Sequence, residues 1–195
     1  AVFAQEVKDI LGALERSGHQ AYLVGGYVRD LLRGVAPHDI DITTSARPEE
    51  VLALFEGFAI PTGLQHGTVT VRQNHQSFEV TTFRADGIYT DHRRPDSVTF
   101  SHSLEEDLRR RDFTVNAMAM DLRGNVYDFH GGRTDLDTGV IRCVGEPEQR
   151  FEEDALRILR GLRFASVLGF TIEEETASAM ARCAQLLGYI AHERI

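Results

Sequence analysis

The sequence predicts an α+β fold, with a mixed α/β segment over residues 1–144 and an all-helical segment over 145–195. Two observations predict it. Short period-two runs bounded by turn residues recur as far as Phe129, interleaved with helical runs. After Gly145–Glu146–Pro147 the apolar period becomes helical and stays so.

Taken in order, Phe3, Val7, Ile10, Leu11 and Leu14 share one face of a helix over Val2–Ser17, which Gly18 ends. A strand over Ala21–Val24 leads into Gly25–Gly26 and a helix over Tyr27–Arg33 closed by Gly34. Asp39–Ile40–Asp41–Ile42 alternates as a half-buried strand does. Pro48, with Glu49 and Glu50 in the first turn, opens another helix. Gly67–Arg72 and Ser77–Phe83 alternate on either side of Asn74–His75–Gln76 and form a hairpin. Residues 84–97 are polar, contain Gly87 and Pro95, and read as a long mobile loop, a length that usually carries function. Leu104–Arg110 is helical. Ala117–Leu122 and Val126–Phe129 form a second hairpin. Phe151, Ala155, Ile158, Leu159 and Leu162 then make one helical face, and a further helix runs from Glu173 to Leu187.

Composition narrows the function classes. The 195 residues are 42% hydrophobic and 26% charged, enough to bury a sizeable core. No apolar run approaches the roughly 18 residues a membrane helix needs, and Ala1–Asp9 lacks a hydrophobic signal core, so a cytoplasmic protein with no membrane partner is expected. Cys143 and Cys183 are far apart and in no CxxC pattern, which suits two buried thiols. The histidines lack zinc-ligand spacing. The net charge of −9 argues against gripping nucleic acid over a broad surface. Lys8 is the one lysine among 21 basic residues, and the arginines cluster at 93–94, 109–111 and 157–163. Arginine recognises phosphate and base edges in a planar, bidentate way, but a compositional habit would produce the same bias.

Asp39 and Asp41, at i and i+2 on a strand, project from one face. Their mutual repulsion is relieved by a divalent cation, and an all-oxygen site suits Mg²⁺. Gly25–Gly26 sits between strand and helix, where glycine lets backbone approach a phosphate and the helix start supplies free N–H groups. Arg29, one turn on, can reach the same anion. Each feature alone has a bland reading, a tight turn or a solvated strand face. Together, a strand–Gly–Gly–helix followed by DxD places a phosphate cradle beside a metal pair, the minimum equipment for nucleotidyl transfer. Glu79, between Phe78 and Val80, is a candidate third carboxylate; an outward-facing strand position explains it equally well.

LVGGYVRDLLRG, DIDITTSARPEEV, PTGLQHGTVTV, FEVTTFRADGIYTDHRRPDSVTF, LEEDLRRRDFTVNAMAMD and RFEEDALRILRGLRF resemble, in order and spacing, the motifs of the bacterial class II CCA-adding enzymes. The resemblance implies a polymerase-β-like nucleotidyltransferase head and a helical neck, and the family continues through a helical body and tail. It implies a template-independent transferase that adds CCA to the tRNA 3′ end from CTP and ATP with Mg²⁺. By that resemblance Asp39 and Asp41 are the catalytic, metal-binding carboxylates. Gly26 and Arg29, with Gly25, hold the triphosphate, Arg111 belongs to the nucleotide site, and Asp112 and Asn116 lie near the ribose. Asp154 and Arg157, in Glu153–Asp154–Ala155–Leu156–Arg157, act as the protein template, with Arg160 and Arg163 as further nucleotide contacts. Three apart on a helix, Asp154 and Arg157 share a face; without the family they read as an ordinary ion pair. The segment resembling YTDHRRP is tied to the switch from C to A addition and favours full CCA addition over CC-only or A-only activity. Glu153–Asp154 argues against a poly(A) polymerase, and intact Asp39 and Asp41 argue against an inactive RNA- or nucleotide-binding module. Oligomeric state is not written in these motifs.

Overall fold

The computed structural model describes residues 4–85 and 98–188, with the backbone of 89–90 and 94–95. Helix α1 (Gln5–Arg16) buries Val7, Ile10, Leu11 and Leu14 completely, as its 3.6-residue apolar period requires. Strand β1 (Ala21–Val24) then enters the sheet and passes through Gly25 into α2 (Gly26–Leu32). Strand β2 (Ile40–Thr44) returns antiparallel to β1, with Asp41 opposite Val24. Helix α3 (Pro48–Leu54) starts on proline, and the Glu50 carboxylate reaches back to accept the Arg47 N–H at 2.9 Å.

Strand β3 (Ala59–Gly63), which the sequence pattern does not reveal, is followed by the 3-10 turn Leu64–His66. The hairpin of β4 (Thr68–Gln73) and β5 (Gln76–Thr82) turns on Asn74 and His75, both at positive φ (51° and 65°), as a two-residue type I′ loop demands. Part of the segment expected as a loop is paired. Strand β6 (Arg84–Ala85) pairs with β9 (Thr99–Phe100), and β7 (Tyr89–Thr90) with β8 (Arg94–Pro95). The mobility expected of it falls on residues outside the described set. Helix α4 (Leu104–Arg109) is capped by Ser103, whose hydroxyl accepts the Glu106 N–H. Strands β10 (Ala119–Met120) and β11 (Val126–Tyr127) form the second expected hairpin.

These strands make one seven-stranded mixed sheet in the order β11-β10-β1-β2-β5-β4-β3. Strand β5 lies parallel to β2 and antiparallel to β4, so Asp41 has Glu79 beside it in register. One face carries the main core against α1 and α3. The other carries a smaller cluster of Val24, Phe83, Leu104, Leu108 and Ala119, with Tyr22 and Tyr127 at its edge.

Helix α5 (Gly132–Thr138) and β12 (Val140–Ile141) precede the helical segment of α6 (Pro147–Glu153), α7 (Leu156–Leu168) and α8 (Glu174–Cys183). Strand β13 (Thr171–Ile172) lies between α7 and α8 and pairs parallel with β12. Phe113 from the first segment packs edge-on to Phe164 of α7, with ring centroids 6.1 Å apart. Gly161 makes this contact possible, because a Cβ there would lie 2.5 Å from Met180 Cε and 2.7 Å from Phe113 Cζ. The main core is therefore continuous from the sheet into α7 and α8. Among the described residues no helix is long and apolar enough to cross a membrane.

The helix expected across 151–162 is two helices, broken at Asp154. That residue is extended (φ −149°, ψ 94°), and its Oδ1 accepts the Leu156 N–H at 3.1 Å. A short acidic side chain offers the backbone this local alternative to helix, so Asp154 ends α6 and starts α7.

Candidate active site

Asp39, immediately before β2, and Asp41 within it open onto a cleft of about 680 Å³ between the sheet and α7. Asp39 is exposed and Asp41 half-buried. Burial pushes the Asp41 carboxyl up; Arg111 opposes this, while the Asp39 and Glu79 charges reinforce it. Glu79 is not a loose surface acid. The Thr70 hydroxyl donates to its Oε1 at 2.9 Å, and Thr70 in turn meets Thr62 at 2.6 Å. Asp39 and Asp41, with Glu79 beside Asp41 in register on β5, offer only oxygen donors, the chemistry a hard divalent cation takes together with phosphate oxygens. Glu148, Glu152 and Cys183, whose ligand atoms lie within 4.8 Å of one another, lie outside this cleft. Both of those carboxylates are exposed and Glu148 pairs with Arg182 at 3.2 Å, a surface charge cluster without the cleft.

Gly25 shapes the space beside Asp41. Its φ of +67° and ψ of −141° belong to glycine. A Cβ there would sit 3.8 Å from Asp41 Oδ2 and 4.0 Å from Arg111 Nη1, so glycine keeps the gap between carboxylate and guanidinium open. Gly26 follows as the first residue of α2 and lines the same cleft. Arg29 donates to Asn116 Oδ1 at 2.8 Å and to Asp30 Oδ1 at 3.1 Å, and its guanidinium lies 5.7 Å from the centre of the Phe164 ring. Asn116, expected near a ribose, thus aims Arg29 together with Asp30.

On the opposite wall stand Asp154, Arg157 and Arg160. Burial raises the Asp154 carboxyl, with Arg160 and Arg157 pulling it back. Arg157 is 5% exposed and donates to the Arg150 carbonyl at 2.9 Å, so its guanidinium is fixed before any ligand arrives. Because Asp154 caps rather than continues a helix, these two side chains do not share a helical face; they converge on the cleft from a break. Arg160 bridges Asp112 (3.2 Å) and Asp154 (3.8 Å). Two residues of this motif stand away from the cleft. Glu153 lies behind the wall, 3.6 Å from Arg157 and 3.5 Å from Arg150, and does not line the cleft. Arg163 is exposed and outside it, since three-residue steps on a 3.6-residue helix drift around the axis.

The structure adds residues the sequence reading passed over. Asp107 is fully buried and accepts from Thr43 Oγ1 (3.1 Å), the Arg84 N–H (2.9 Å) and Arg111 Nη2 (3.0 Å), with Arg110 at 3.4 Å. Burial alone would raise its carboxyl, but Arg111 and Arg110 hold it below the usual value. Burial, with Arg111 beside it, pulls Arg110 down to about 9, still charged at neutral pH. The signal available was the spacing of Asp107 to Arg110 and Arg111, at i+3 and i+4. From below, Arg150 Nη2 donates to the carbonyls of Arg110 (2.5 Å) and Arg111 (2.7 Å). Arg84, His66 and Phe164 also line the cleft. The side chains of 86–97, including YTDHRRP, lie outside the described residues.

A mixed sheet that presents paired aspartates beside a Gly–Gly turn and an arginine-lined cleft is the fold of the polymerase-β-like nucleotidyltransferases. The Poly A polymerase head domain family matches residues 21–142, and the family described as probable RNA and SrmB-binding site of polymerase A matches 169–195. The chain belongs to the Poly A polymerase head domain family. It is 55% identical over 190 residues to a CCA-adding enzyme of Oceanobacillus iheyensis, covering 97% of this chain and 47% of that one. The crystal structure of Bacillus stearothermophilus CCA-adding enzyme in complex with CTP superposes with a TM-score of 0.88 at 49% identity, covering 97% of this chain and 46% of that one. A tRNA nucleotidyltransferase complexed with a primer tRNA and an incoming ATP analog superposes with a TM-score of 0.73 at 34% identity, covering 91% and 50%. The chain spans about half the length of the curated relatives it matches.

Proposed function

We propose that this chain is the nucleotide-adding portion, head (1–144) and neck (145–195), of a cytoplasmic CCA-adding enzyme that extends the tRNA 3′ end from CTP and ATP without a nucleic-acid template. The observation that carries this reading is the position of Asp154 and Arg157, fixed and buried in the cleft whose far side holds Asp39 and Asp41. The RNA 3′-hydroxyl attacks the α-phosphate; a new P–O bond forms, the bond to the β-phosphate oxygen breaks, and pyrophosphate leaves. Asp39 and Asp41, with Glu79 behind, would hold Mg²⁺, which when bound lowers the pKa of the attacking hydroxyl and offsets charge on the phosphates.

The rest of the work belongs to side chains. Gly25 and Gly26 give the triphosphate room, while Arg29 and Arg111 meet its charge from positions set by Asn116 and Asp107. Asp154 accepts and Arg157 donates, matching the exocyclic amine and ring nitrogen that cytosine and adenine share. Uracil and guanine present a carbonyl where Asp154 needs a donor, and two acceptors facing each other repel. Arg160 and Asp112 brace that wall.

The test is incorporation of labelled CTP, ATP, or both into a tRNA lacking its last three nucleotides, with and without Mg²⁺. Metal-dependent addition of CC and then A supports the reading. CC alone narrows it to partial addition. No addition by the parent, under conditions where CTP binds, removes transferase activity from this chain; with addition established, Asp41→Ala is expected to abolish it while leaving the fold intact.

A further inference from the structure

Arg150 does not line the cleft, yet it is bonded to two of the walls that do. It sits on α6, four residues before the break at Asp154, and is 6% exposed. Its side chain turns toward the sheet segment, where Nη2 donates to the carbonyls of Arg110 and Arg111 at the C-terminal end of α4. The last carbonyls of a helix lack N–H partners of their own, and a cation there also meets the negative end of the helix dipole. The Arg150 carbonyl turns the other way. It accepts the Asp154 N–H at 3.2 Å and Arg157 Nη1 at 2.9 Å. Arg157 Nη2 reaches the same Arg110 carbonyl at 3.4 Å. Glu153 stands 3.5 Å from Arg150 and 3.6 Å from Arg157, one carboxylate shared by two guanidiniums.

We propose that Arg150 is a positioning residue for base selection, setting the offset between the pair Asp154 and Arg157 and the phosphate-facing Arg111. The proposal rests on the transferase reading above and adds how the two sides of the cleft stay in register. Asp154 distinguishes cytosine from uracil only if the base arrives at a fixed distance from a triphosphate held elsewhere. Arg111 belongs to the sheet segment and Asp154 and Arg157 to the helical one, so that distance is set by whatever ties the two together. Hydrogen bonds weaken steeply outside a narrow range of length and angle, so a small drift blurs base choice before it unfolds the protein. Arginine suits the task better than lysine. Its rigid plane sets Nη2 on two carbonyls while Nη1 faces Glu153, a span that one ammonium on a flexible stem does not cover.

The experiment is equilibrium titration of the parent, Arg150→Lys, Arg150→Ala and Asp135→Asn with CTP and with UTP, alongside melting curves and incorporation into a tRNA lacking CCA. Asp135→Asn controls for lost stability. Asp135 is buried, accepts from Thr114 Oγ1 at 2.6 Å and Arg142 Nε at 3.1 Å, and lies outside the cleft. Both Arg150 variants are expected to lose about tenfold in CTP affinity and about tenfold in the preference for CTP over UTP. Asp135→Asn is expected to melt lower and keep both within about twofold. Methylguanidinium should restore the preference of Arg150→Ala, and methylammonium should not. A folded Arg150→Lys with the parent's preference, an equal loss in Asp135→Asn, or equal rescue by methylammonium would overturn the role. If Arg150→Ala does not fold, Arg150→Lys and the control decide. Binding is read apart from incorporation, so the two readings fail separately. A parent that prefers CTP but adds neither nucleotide loses the transferase reading, and Arg150 still stands or falls on its variants. Incorporation by a parent whose preference survives Arg150→Lys does the reverse.

Discussion

Asp107 Oδ2, itself shut off from solvent, accepts from Arg111 Nη2 at 3.0 Å, and the same guanidinium reaches back toward Gly25 and Asp41. One buried carboxylate therefore sets a cleft arginine, the strand bearing Asp41 through Thr43, and the root of the 84–97 segment through the Arg84 amide. Removing one partner of a buried, hydrogen-bonded ion pair costs about 3–5 kcal/mol, because the remaining charge loses its compensation. Asp107→Asn is expected to lower the melting temperature and weaken CTP binding by about tenfold. Thermal melts and CTP titration read the two effects separately. Full-strength binding by a folded Asp107→Asn protein would remove Asp107 from the positioning of Arg111.

The same residue predicts an acid limb. Its folded carboxyl titrates below the ordinary value of 3.8, so its stabilisation is complete above that value. It is lost as pH falls from there through the lowered folded pKa, because the unfolded chain binds the proton first. Denaturant melts between about pH 5 and pH 2 are expected to show Asp107→Asn losing less stability than the parent over that window. Parallel curves would place the acid sensitivity elsewhere.

Base selection is expected to fail before binding does. Asp154 lies on the cleft wall, so Asp154→Ala should narrow the preference for CTP and ATP over UTP and GTP by about 1–3 kcal/mol, or about tenfold or more. Arg157→Lys keeps the charge and loses the planar fork, and is expected to narrow it as well. Single-turnover incorporation from each of the four nucleotides measures this. Unchanged selectivity in both variants would take the template role away from this wall.

How far these residues could be read in advance depends on where their partners come from. Asp39 and Asp41 are legible because a period-two strand fixes their common side locally, and Asn74–His75 announces its turn in two residues. Strand β3 was hidden because Pro61 and Gly63 argue against a strand; it sits at the sheet edge, where proline leaves no ladder bond unmade. Helix α5 has one buried leucine, Leu136, and owes its start to Asp128, which accepts the N–H groups of Gly132 and Arg133 at 2.8 and 3.0 Å. Asp107 reads as a solvated helix charge until Thr43, 64 residues away, and the Arg84 amide close over it. The break at Asp154 is a one-residue contest between helix propensity and a side-chain bond to Leu156, which apolar periodicity does not register.

The thiols test the packing of the helical segment without touching the cleft. Cys143 and Cys183 are both buried and unpaired. Burial pushes the Cys143 thiol up to about 12 and raises that of Cys183 as well. A thiol with so little thiolate at pH 8 reacts slowly even when reached. Neither is expected to be alkylated by iodoacetamide in the native protein, and both should react fully in denaturant.

Gly161 is a tight point where α7 meets Phe113 and Met180, so it tests whether α7 is held as described. Its missing Cβ leaves room for Met180 Cε at 2.5 Å and Phe113 Cζ at 2.7 Å. Gly161→Val must push both away and disturb Phe164, the ring that lies against Arg29. Overpacking of this kind costs about 1–3 kcal/mol. The change is expected to lower the melting temperature by several degrees and, because Arg29 loses part of its support, to weaken CTP binding by more than Gly161→Ala does. If Gly161→Val melts as the parent does, α7 does not pack on Phe113 and Met180, and the route from the helical segment to the triphosphate arginine falls with it.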